Sequence, residues 1–247
     1  MNPDIFCPAA GVPALAQARR ALTRRGVVFS EDCTGSVSHI LLPVPSYSGN
    51  TPKFPADILE KAPEAAVLIG GNLPPLPGRS GIDLLQDPVY LARNAAITAH
   101  CALALAAAGL PLTWEGLPVL ILGWGRIGKL LALGLRRRGA RVTVAARRRE
   151  ALAEADAFGM ETLDFSGVYS QISQFRLIYN TVPAPVLSAA VMARRRPDCL
   201  AMELASSPGM AGEGITDGRG LPGKLAPEAS GELIAETVFR RLKEDLS

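Results

Sequence analysis

Histidine and cysteine are scarce in this chain, which has two histidines and four cysteines among 247 residues. Because so few ligands cannot form a zinc-binding spacing, we expect no metal site. Cysteines that are far apart and form no C-x-x-C motif are typical of a reducing cytosol, so we expect free thiols and a cytoplasmic protein. The four cysteines are Cys7, Cys33, Cys101 and Cys199.

The chain also lacks a strong charge bias and a long uninterrupted apolar run. Its formal net charge of +3 argues against a nucleic-acid partner. Residues 1–13 have neither the basic start nor the apolar core of a signal peptide. The longest apolar stretch, near Leu117–Leu135, contains Arg126, Lys129 and four glycines, so we expect no membrane span there.

From Leu117 onward, strand-like and helix-like segments alternate, which predicts a parallel sheet with right-handed crossovers. The predicted strands are Val119–Leu122, Val142–Ala146, Glu161–Leu163, Leu177–Asn180 and Cys199–Leu204. The predicted helices lie near Ile127–Arg138, Arg149–Phe158, Gly167–Gln174 and Ser188–Arg194, with a last amphipathic helix at Pro227–Leu246.

The first 112 residues differ in texture, because Pro- and Ser-rich loops separate short apolar segments. We expect a helix near Ala14–Arg24 and strands at Val27–Phe29, His39–Val44, Ala65–Ile69 and Val89–Ala92. A helix at Ile97–Ala108 consists of Ala and Leu with almost no polar residue, which predicts that it is buried on most sides.

A glycine motif follows the strand Val119–Leu122 and precedes a helix. This G-x-G-x-x-G layout, with a second strand at the right distance, is typical of a dinucleotide-binding unit. Its glycines permit a tight turn, close approach of a pyrophosphate and close helix packing, while free N–H groups face the phosphates. The other interpretation is a tight turn without a ligand. The residues are Gly123, Trp124, Gly125, Arg126, Ile127 and Gly128.

Arginines stand where an NAD-preferring site usually has an acid. The second strand ends at Ala146 and is followed by Arg147, Arg148 and Arg149, with no carboxylate before Glu150. Arginine accommodates a 2′-phosphate because its planar fork binds phosphate at two points. Three cations at a helix start also oppose the helix dipole, which an anionic ligand would explain. We therefore predict NADP(H), with a solvated basic turn as the alternative.

Two domains follow from these patterns. Residues 113–226 are predicted to form an NADP-binding domain of the Rossmann type, a doubly wound parallel sheet. Residues 1–112, joined by the helix over 227–247, are predicted to form a smaller α/β domain on the substrate side. Four loops of small residues are expected at strand or helix ends and favour a cleft. They are Gly70–Asn72, Asn180–Pro183, Ala205–Gly209 and Gly220–Lys224.

Several motifs together resemble the family of the dipicolinate synthase A subunit. The resemblance runs from about Ile40 to the end and is strongest after Val119. It rests on ILGWGRIG at Ile121–Gly128, on Ala146-Arg147, on Asn180, Thr181, Val182 and Pro183 with Leu187, on ELASSPG at Glu203–Gly209, on GLPGKLAPEASG at Gly220–Gly231, and upstream on ILLPV at Ile40–Val44 and NAAITAHCA at Asn94–Ala102. The GLPG block is the most specific of these.

The resemblance implies oxidation of a dihydrodipicolinate-type ring to pyridine-2,6-dicarboxylate, with hydride passed to NADP⁺, in a sporulating bacterium's mother cell. It also implies a second, flavoprotein-like partner, the B subunit of dipicolinate synthase. The chain departs from the family pattern at Ile97, His100 and Cys101, at Ser207 and at Met210. The strand that normally opens the N-terminal domain looks missing or much altered.

Such a substrate needs donors for its two carboxylates and a base for the ring proton. His100 is the candidate base because its pKa range suits proton transfer. Lys224, in a tight loop, is the second catalytic candidate and is also a candidate donor to a substrate carboxylate. Helix starts near Thr98 and Glu228 would add backbone donors. The candidate substrate-binding side chains are Asn72, Asn94, Thr98, Ser206 and Ser207.

Two other functions stay open from the sequence. One is a shikimate-dehydrogenase-like NADP oxidoreductase. Against it, the N-terminal half has no Lys–Asp pair suited to proton transfer on a hydroxyl, and Lys53 with Asp57 is the nearest combination. The other is an NADP-binding regulatory or assembly subunit without chemistry of its own. A homodimer through the helix at Ile97–Ala108 or through the last helix is also compatible with the sequence.

Overall fold

The computed structural model of the chain describes residues 4–7, 12–34, 37–55, 57–75 and 77–244. The chain divides into two compact units. The first comprises Met1–Ile97 and Pro222–Ser247, and the second comprises Thr98–Leu221. The sequence placed the two boundaries near residues 112 and 226. Which unit serves the cofactor and which the substrate stays a prediction.

Short strands alternate with helices along most of the chain. The strands are β1 (Asp4–Phe6), β2 (Val28–Ser30), β3 (His39–Leu41), β4 (Tyr47–Ser48), β5 (Thr51–Pro52), β6 (Val67–Gly70), β7 (Gly81–Asp83), β8 (Pro118–Leu122), β9 (Arg141–Ala145), β10 (Glu161–Leu163), β11 (Leu177–Asn180), β12 (Leu200–Glu203) and β13 (Ile215–Asp217). The helices are α1 (Pro13–Arg24), α2 (Ile58–Lys61), α3 (Pro88–Gly109), α4 (Arg126–Arg136), α5 (Arg149–Ala157), α6 (Phe165–Gln171), α7 (Ala189–Met192), α8 (Leu221–Leu225) and α9 (Pro227–Glu244).

The first unit contains a five-stranded parallel sheet in the order β2-β1-β3-β6-β7. Numbered within the sheet this is the order 2-1-3-4-5 of flavodoxin-like folds. Successive residues of β3 point to opposite faces, so Ile40 and Leu41 belong to different core clusters. Apolar residues therefore cover both faces, as parallel sheets require.

The second unit contains a six-stranded parallel sheet in the order β10-β9-β8-β11-β12-β13. Numbered within the sheet this is 3-2-1-4-5-6, the Rossmann order. The central strands β8 and β11 are largely apolar and buried; in β8, for example, Leu120 and Ile121 have no exposed surface. The predicted α/β class with a Rossmann-type doubly wound sheet is therefore confirmed.

Two expectations about the first unit are wrong. The opening strand is present: β1 pairs with both β2 and β3 in the interior of the sheet. The segment Val89–Ala92, expected as a strand, forms the first turn of α3 instead. Asp87 accepts hydrogen bonds from the backbone N–H groups of Val89 and Tyr90, both at 2.9 Å, and Pro88 supplies a preset helical φ.

Helix α3 differs from the expected buried helix in length and in exposure. It is long and apolar enough to cross a membrane, but core helices of soluble proteins pass the same test, and 33% of its most apolar stretch is buried. Within the second unit it packs on the sheet, where Tyr179 donates a hydrogen bond to the Ala102 carbonyl at 2.9 Å. The described part of the last helix ends at Glu244, and the predicted end at Leu246 lies outside the described residues.

The four cysteines are free thiols, as expected, and all are buried. Burial raises the pKa of Cys7 to about 12 and that of Cys199 to about 11. Both side chains therefore stay protonated at neutral pH, which makes them poor nucleophiles.

Candidate functional site

The turn after β8 starts with a glycine that no other residue could replace without strain. Gly123 has a φ of +100°, and its N–H donates to the Ala145 carbonyl at 2.8 Å. A Cβ at Gly123 would lie 2.6 Å from Thr181 Oγ1 and 2.8 Å from Val182 Cγ2. The turn is thus pressed between the ends of β9 and β11.

Gly128 holds α4 close to the same turn. A Cβ there would lie 2.4 Å from the Gly123 carbonyl oxygen, a backbone atom that cannot move away at low energy. Gly128 is therefore required for close packing of helix on strand.

Gly125 differs from both, because no described atom lies within 4 Å of the position its Cβ would take. It is the N-cap residue of α4 in an extended conformation, and no side chain among the described residues caps that helix end. No described side chain therefore satisfies the first N–H groups of α4, and the helix dipole favours an anion at this end.

The turn lies where the strand order of the sheet reverses, between β8 and β11. Both the backbone N–H and the hydroxyl of Thr181 donate to the Leu122 carbonyl, each at 2.9 Å. The carboxyl ends of the two strands are tied together by these bonds. In open α/β sheets this switch point is the place where ligands bind.

The arginine cluster follows β9 at the neighbouring strand end. Ala146 is buried, whereas Arg147, Arg148 and Arg149 are exposed. Within the described ranges no acidic residue forms an ion pair with any of the three. Arg148 is the N-cap residue of α5, so the cluster adds positive charge to the positive end of that helix.

Trp124 anchors the turn on its other side. Its ring is 6% exposed, lies 6.2 Å from the Phe158 ring and is 5.9 Å from Lys129 Nζ. Lys129 Nζ also donates to Glu154 at 2.6 Å, which joins α4 to α5. This hydrogen bond lowers the pKa of Glu154 and keeps the carboxylate charged at neutral pH. The Trp124 side chain therefore packs against the protein.

A buried polar cluster connects the loops after β11 and β12. Asn180 has no exposed surface; its side-chain amide donates to Glu203 Oε1 at 2.8 Å and to the Val182 carbonyl at 3.0 Å. Its side-chain oxygen accepts from the Val182 N–H at 3.0 Å. The Asn180 side chain thus shapes the loop, and Thr181, Val182 and the exposed Pro183 form the loop's surface.

Glu203 was missed among the candidate residues, although it is the first residue of the ELASSPG block. It is 4% exposed, and its carboxylate accepts four hydrogen bonds from the Asn180 side chain and from backbone N–H groups. Gly209 packs against this cluster, since a Cβ there would lie 2.4 Å from Asn180 Nδ2. The signal was a lone acid at the end of an apolar strand.

The candidate residues for catalysis and substrate binding are more scattered. Three lie on α3: Asn94 is half-buried, Thr98 is buried and His100 is exposed. The expected helix start near Thr98 is wrong, because α3 begins at Pro88 and its backbone N–H groups near Thr98 are within the helix. The predicted start near Glu228 agrees with α9, which begins at Pro227.

The other candidates lie at loop positions or on a short helix. Asn72 follows β6 with a left-handed φ of 55°, and its N–H donates to Asp83 at 3.1 Å. Ser206 and Ser207 are exposed after β12. Lys224 is exposed as well, but it lies on α8 and not in the expected tight loop.

Comparison with known proteins gives a relative in sequence. The A subunit of dipicolinate synthase from Bacillus subtilis (strain 168) is 27% identical over 203 residues, covering 76% of this chain and 68% of the relative. No protein-family model matches the chain.

Two solved structures share the fold. The A subunit of dipicolinate synthase from Bacillus halodurans has a TM-score of 0.81 at 24% identity, covering 98% of this chain and 97% of its own. A D-isomer specific 2-hydroxyacid dehydrogenase from Xanthobacter autotrophicus Py2 has a TM-score of 0.57 at 16% identity, covering 97% and 96%. The chain therefore has a Rossmann-type, dehydrogenase-like fold, and its predicted resemblance to the family of the dipicolinate synthase A subunit is confirmed.

Proposed function

We propose that this chain is an NADP-dependent oxidoreductase that oxidises dihydrodipicolinate to dipicolinate. The ring of the substrate loses a hydride to the nicotinamide of NADP⁺ and a proton to a base or to water, giving dipicolinate, NADPH and H⁺. Aromatisation of the ring makes this oxidation favourable, so the protein chiefly has to hold the two rings in reacting geometry.

The observation that carries the proposal is the open, uncapped start of α4 at Gly125. Gly123 and Gly128 close the turn, while the space over Gly125 admits a pyrophosphate to the first N–H groups of the helix. Arg126, at the first position of α4, is exposed and adds a charge that attracts the same phosphates.

The choice of NADP over NAD rests on the arginine cluster. Arg147 and Arg148 follow the strand whose end faces the adenosine ribose in a Rossmann fold. Exposed arginines at a helix N-terminus are unfavourable by themselves, and a 2′-phosphate would offset this repulsion. When bound, the cofactor supplies the hydride acceptor, and the residues of this chain bind and orient it.

The nicotinamide half is assigned to the loops after β11 and β12. A Rossmann sheet binds one mononucleotide on each half, and the adenosine half is taken by β8, β9 and β10. The surface formed by Thr181, Val182 and Pro183 is thus proposed to contact the nicotinamide side. Ser206 and Ser207, exposed on the next loop, are proposed to donate hydrogen bonds to a substrate carboxylate.

The remaining site residues stay predictions. His100 is proposed as the base, and Lys224, Asn72, Asn94 and Thr98 as donors to the substrate carboxylates. The exposed position of His100 leaves it accessible for proton exchange with solvent. A turnover number that is unchanged in His100→Ala would remove it from the mechanism.

A partner protein is part of the proposal. The relative from Bacillus subtilis is named as one subunit of its enzyme, which implies that it works with another. By analogy we propose that this chain works with a flavoprotein-like B subunit of the dipicolinate synthase type. The sporulation setting, the cytoplasmic mother-cell location and the homodimer stay predictions.

The shikimate-dehydrogenase-like alternative has less support. Such an enzyme needs a Lys–Asp pair, and Lys53 with Asp57 is the nearest combination in the N-terminal half. Asp57 accepts a hydrogen bond from Lys61 at 2.5 Å, however, and not from Lys53. An exposed pair of this kind, four residues apart on one helical turn, is a common surface ion pair.

The test is to mix the protein with NADP⁺ and dihydrodipicolinate, with and without the flavoprotein-like partner, and to follow the absorbance of reduced nicotinamide. We expect NADPH and dipicolinate to form in equal amounts, and the same protein with NAD⁺ to react at least tenfold more slowly. NADP⁺ binding without turnover in either mixture would contradict the enzyme and favour a regulatory role.

A further inference from the structure

The carboxylate of Glu203 is fully used by hydrogen-bond donors. Its Oε1 accepts from Asn180 Nδ2 at 2.8 Å and from the Ala205 N–H at 3.0 Å. Its Oε2 accepts from the Gly209 N–H at 2.8 Å and from the Met210 N–H at 3.2 Å. With 4% exposure, the side chain has little contact with water, so these four bonds replace its hydration.

These bonds fix both ends of the loop after β12, at Ala205 and at Gly209. Through Asn180 they also fix the loop after β11, because the Asn180 side chain bonds both the N–H and the carbonyl of Val182. Thr181, next to Asn180, contacts the position of Gly123 in the phosphate turn. One buried acid therefore sets the positions of two neighbouring strand-end loops.

Only a carboxylate fits this environment. All four partners are N–H donors, and an ionised carboxylate offers acceptors alone. A glutamine has the same shape, but its NH₂ group would replace one oxygen and face two donors. Glu203→Gln would therefore lose two hydrogen bonds and leave buried N–H groups without an acceptor.

We propose that Glu203 is a positioning residue for the nicotinamide end of the bound cofactor, acting through Asn180 and the loops after β11 and β12. The proposal rests on the proposed binding of NADP(H) to this sheet. The adenosine end is shaped differently, by the glycine turn after β8 and by the arginines after β9, none of which bonds to Glu203. Loss of the carboxylate is thus expected to disturb one half of the cofactor only.

The experiment compares two ligands on the Glu203→Gln variant. NADPH carries both halves of the cofactor, whereas adenosine 2′,5′-bisphosphate lacks the nicotinamide. We expect the Kd for NADPH to rise tenfold or more and the Kd for the bisphosphate to stay within twofold. At saturation, the emission of bound NADPH should also differ from wild type, since it reports the surroundings of the nicotinamide.

Glu213→Gln is the matched control, because it makes the same chemical change at an exposed position of the second unit and should leave both Kd values unchanged. If Glu203→Gln fails to fold, Asn180→Ala is the second variant: it removes the link between the loops together with the two bonds to Val182, and it should likewise weaken NADPH binding but not bisphosphate binding.

An equal loss of affinity for both ligands in the folded variants would show a general structural role and overturn the proposal. So would unchanged affinity for NADPH. Wild-type protein is titrated first, and failure of NADPH to bind there would overturn the proposed function itself, which separates that result from a failure of the Glu203 inference alone.

Discussion

Two glycine-containing turns, one in each unit, follow a parallel strand and read alike in the sequence. After β8, the Cβ position of Gly125 has no described atom within 4 Å. At the end of β6, a Cβ on Gly70 would lie 2.2 Å from Ser46 Oγ, and one on Gly71, the next residue, would lie 2.9 Å from Leu85 and Val44 side-chain atoms. The space beside Gly125 is therefore empty, whereas the space beside Gly70 and Gly71 is filled by other side chains of the protein.

The filled turn has its own reason for being built of glycine. Ser46 is fully buried; its hydroxyl donates to the Pro43 carbonyl at 2.7 Å and accepts from the Gly71 N–H at 3.0 Å. Only a residue without a side chain lets the loops after β3 and β6 meet this closely. Glycine at a strand end thus indicates either a ligand or a close packing contact, and only the surrounding space separates the two.

In both units, an acidic residue at the last position of a strand accepts hydrogen bonds from loop N–H groups. In the first unit Asp83 accepts from the N–H groups of Asn72, Leu73 and Leu85 at 3.1, 3.1 and 2.8 Å. In the second unit Glu203 does the same for its own loop and for Asn180. Both acids hold the loop of a neighbouring strand in place, so the two units are alike in this feature. They differ in the glycine turns, where the space beside the glycine is empty in the second unit and filled in the first.

The largest effect is expected from Gly125→Ala. Its backbone, with φ of −87° and ψ of −169°, suits alanine, and the added methyl meets no protein atom. The methyl would occupy the space proposed for the pyrophosphate, so the Kd for NADPH should rise about a hundredfold, roughly 2.7 kcal/mol. The melting temperature without ligand should stay at the wild-type value. Calorimetric titration and thermal denaturation measure the two, and unchanged affinity would contradict the assigned site.

The converse result is expected from Gly70→Ala. The methyl would displace the Ser46 hydroxyl and break its buried hydrogen bonds, which costs about 1–3 kcal/mol in the free energy of unfolding. The affinity for NADPH should stay within twofold of wild type. Gly223→Ala, also in the first unit and with no described atom within 4 Å, is the control that should leave stability nearly unchanged. Denaturant titration gives the comparison.

A smaller effect is expected from Arg147→Ala. One charge-assisted hydrogen bond to the 2′-phosphate is worth about 1.5 kcal/mol, so the Kd for NADPH should rise roughly tenfold. NADH lacks this phosphate, and its Kd should not change. Arg137→Ala, at an exposed arginine just after α4, serves as a control for the loss of positive charge. Equal losses for NADPH and NADH would mean that Arg147 does not read the 2′-phosphate.

The sequence predicted the second unit well because its signals are local and strong. The apolar run before Gly123 and the alternation after it correspond to β8, α4 and β9 as observed. The short edge strand β13 was missed, since its three residues end in Asp217 and carry little apolar pattern. A strand of this kind is defined by its pairing with β12, which the sequence does not show.

The first unit was harder to predict, because its strands are short and its helix signals compete. Val89 and Tyr90 favour strands by propensity, but Asp87 and Pro88 before them form a helix start, and packing favoured the helix. The shape of the candidate site was also only partly predictable. Asn180 was recognised as a site residue, whereas its bond to Glu203 joins two strands and depends on the fold.

The central claim is that the second unit binds NADP(H) across the point where its strand order reverses. An experimental structure with NADP⁺ bound tests this most directly. We expect the pyrophosphate over Gly125 at the start of α4, the 2′-phosphate within hydrogen-bonding distance of Arg147 or Arg148, and the nicotinamide beside the loop at Thr181–Pro183. A 2′-phosphate directed into solvent, or a nucleotide bound away from Gly125, would contradict it.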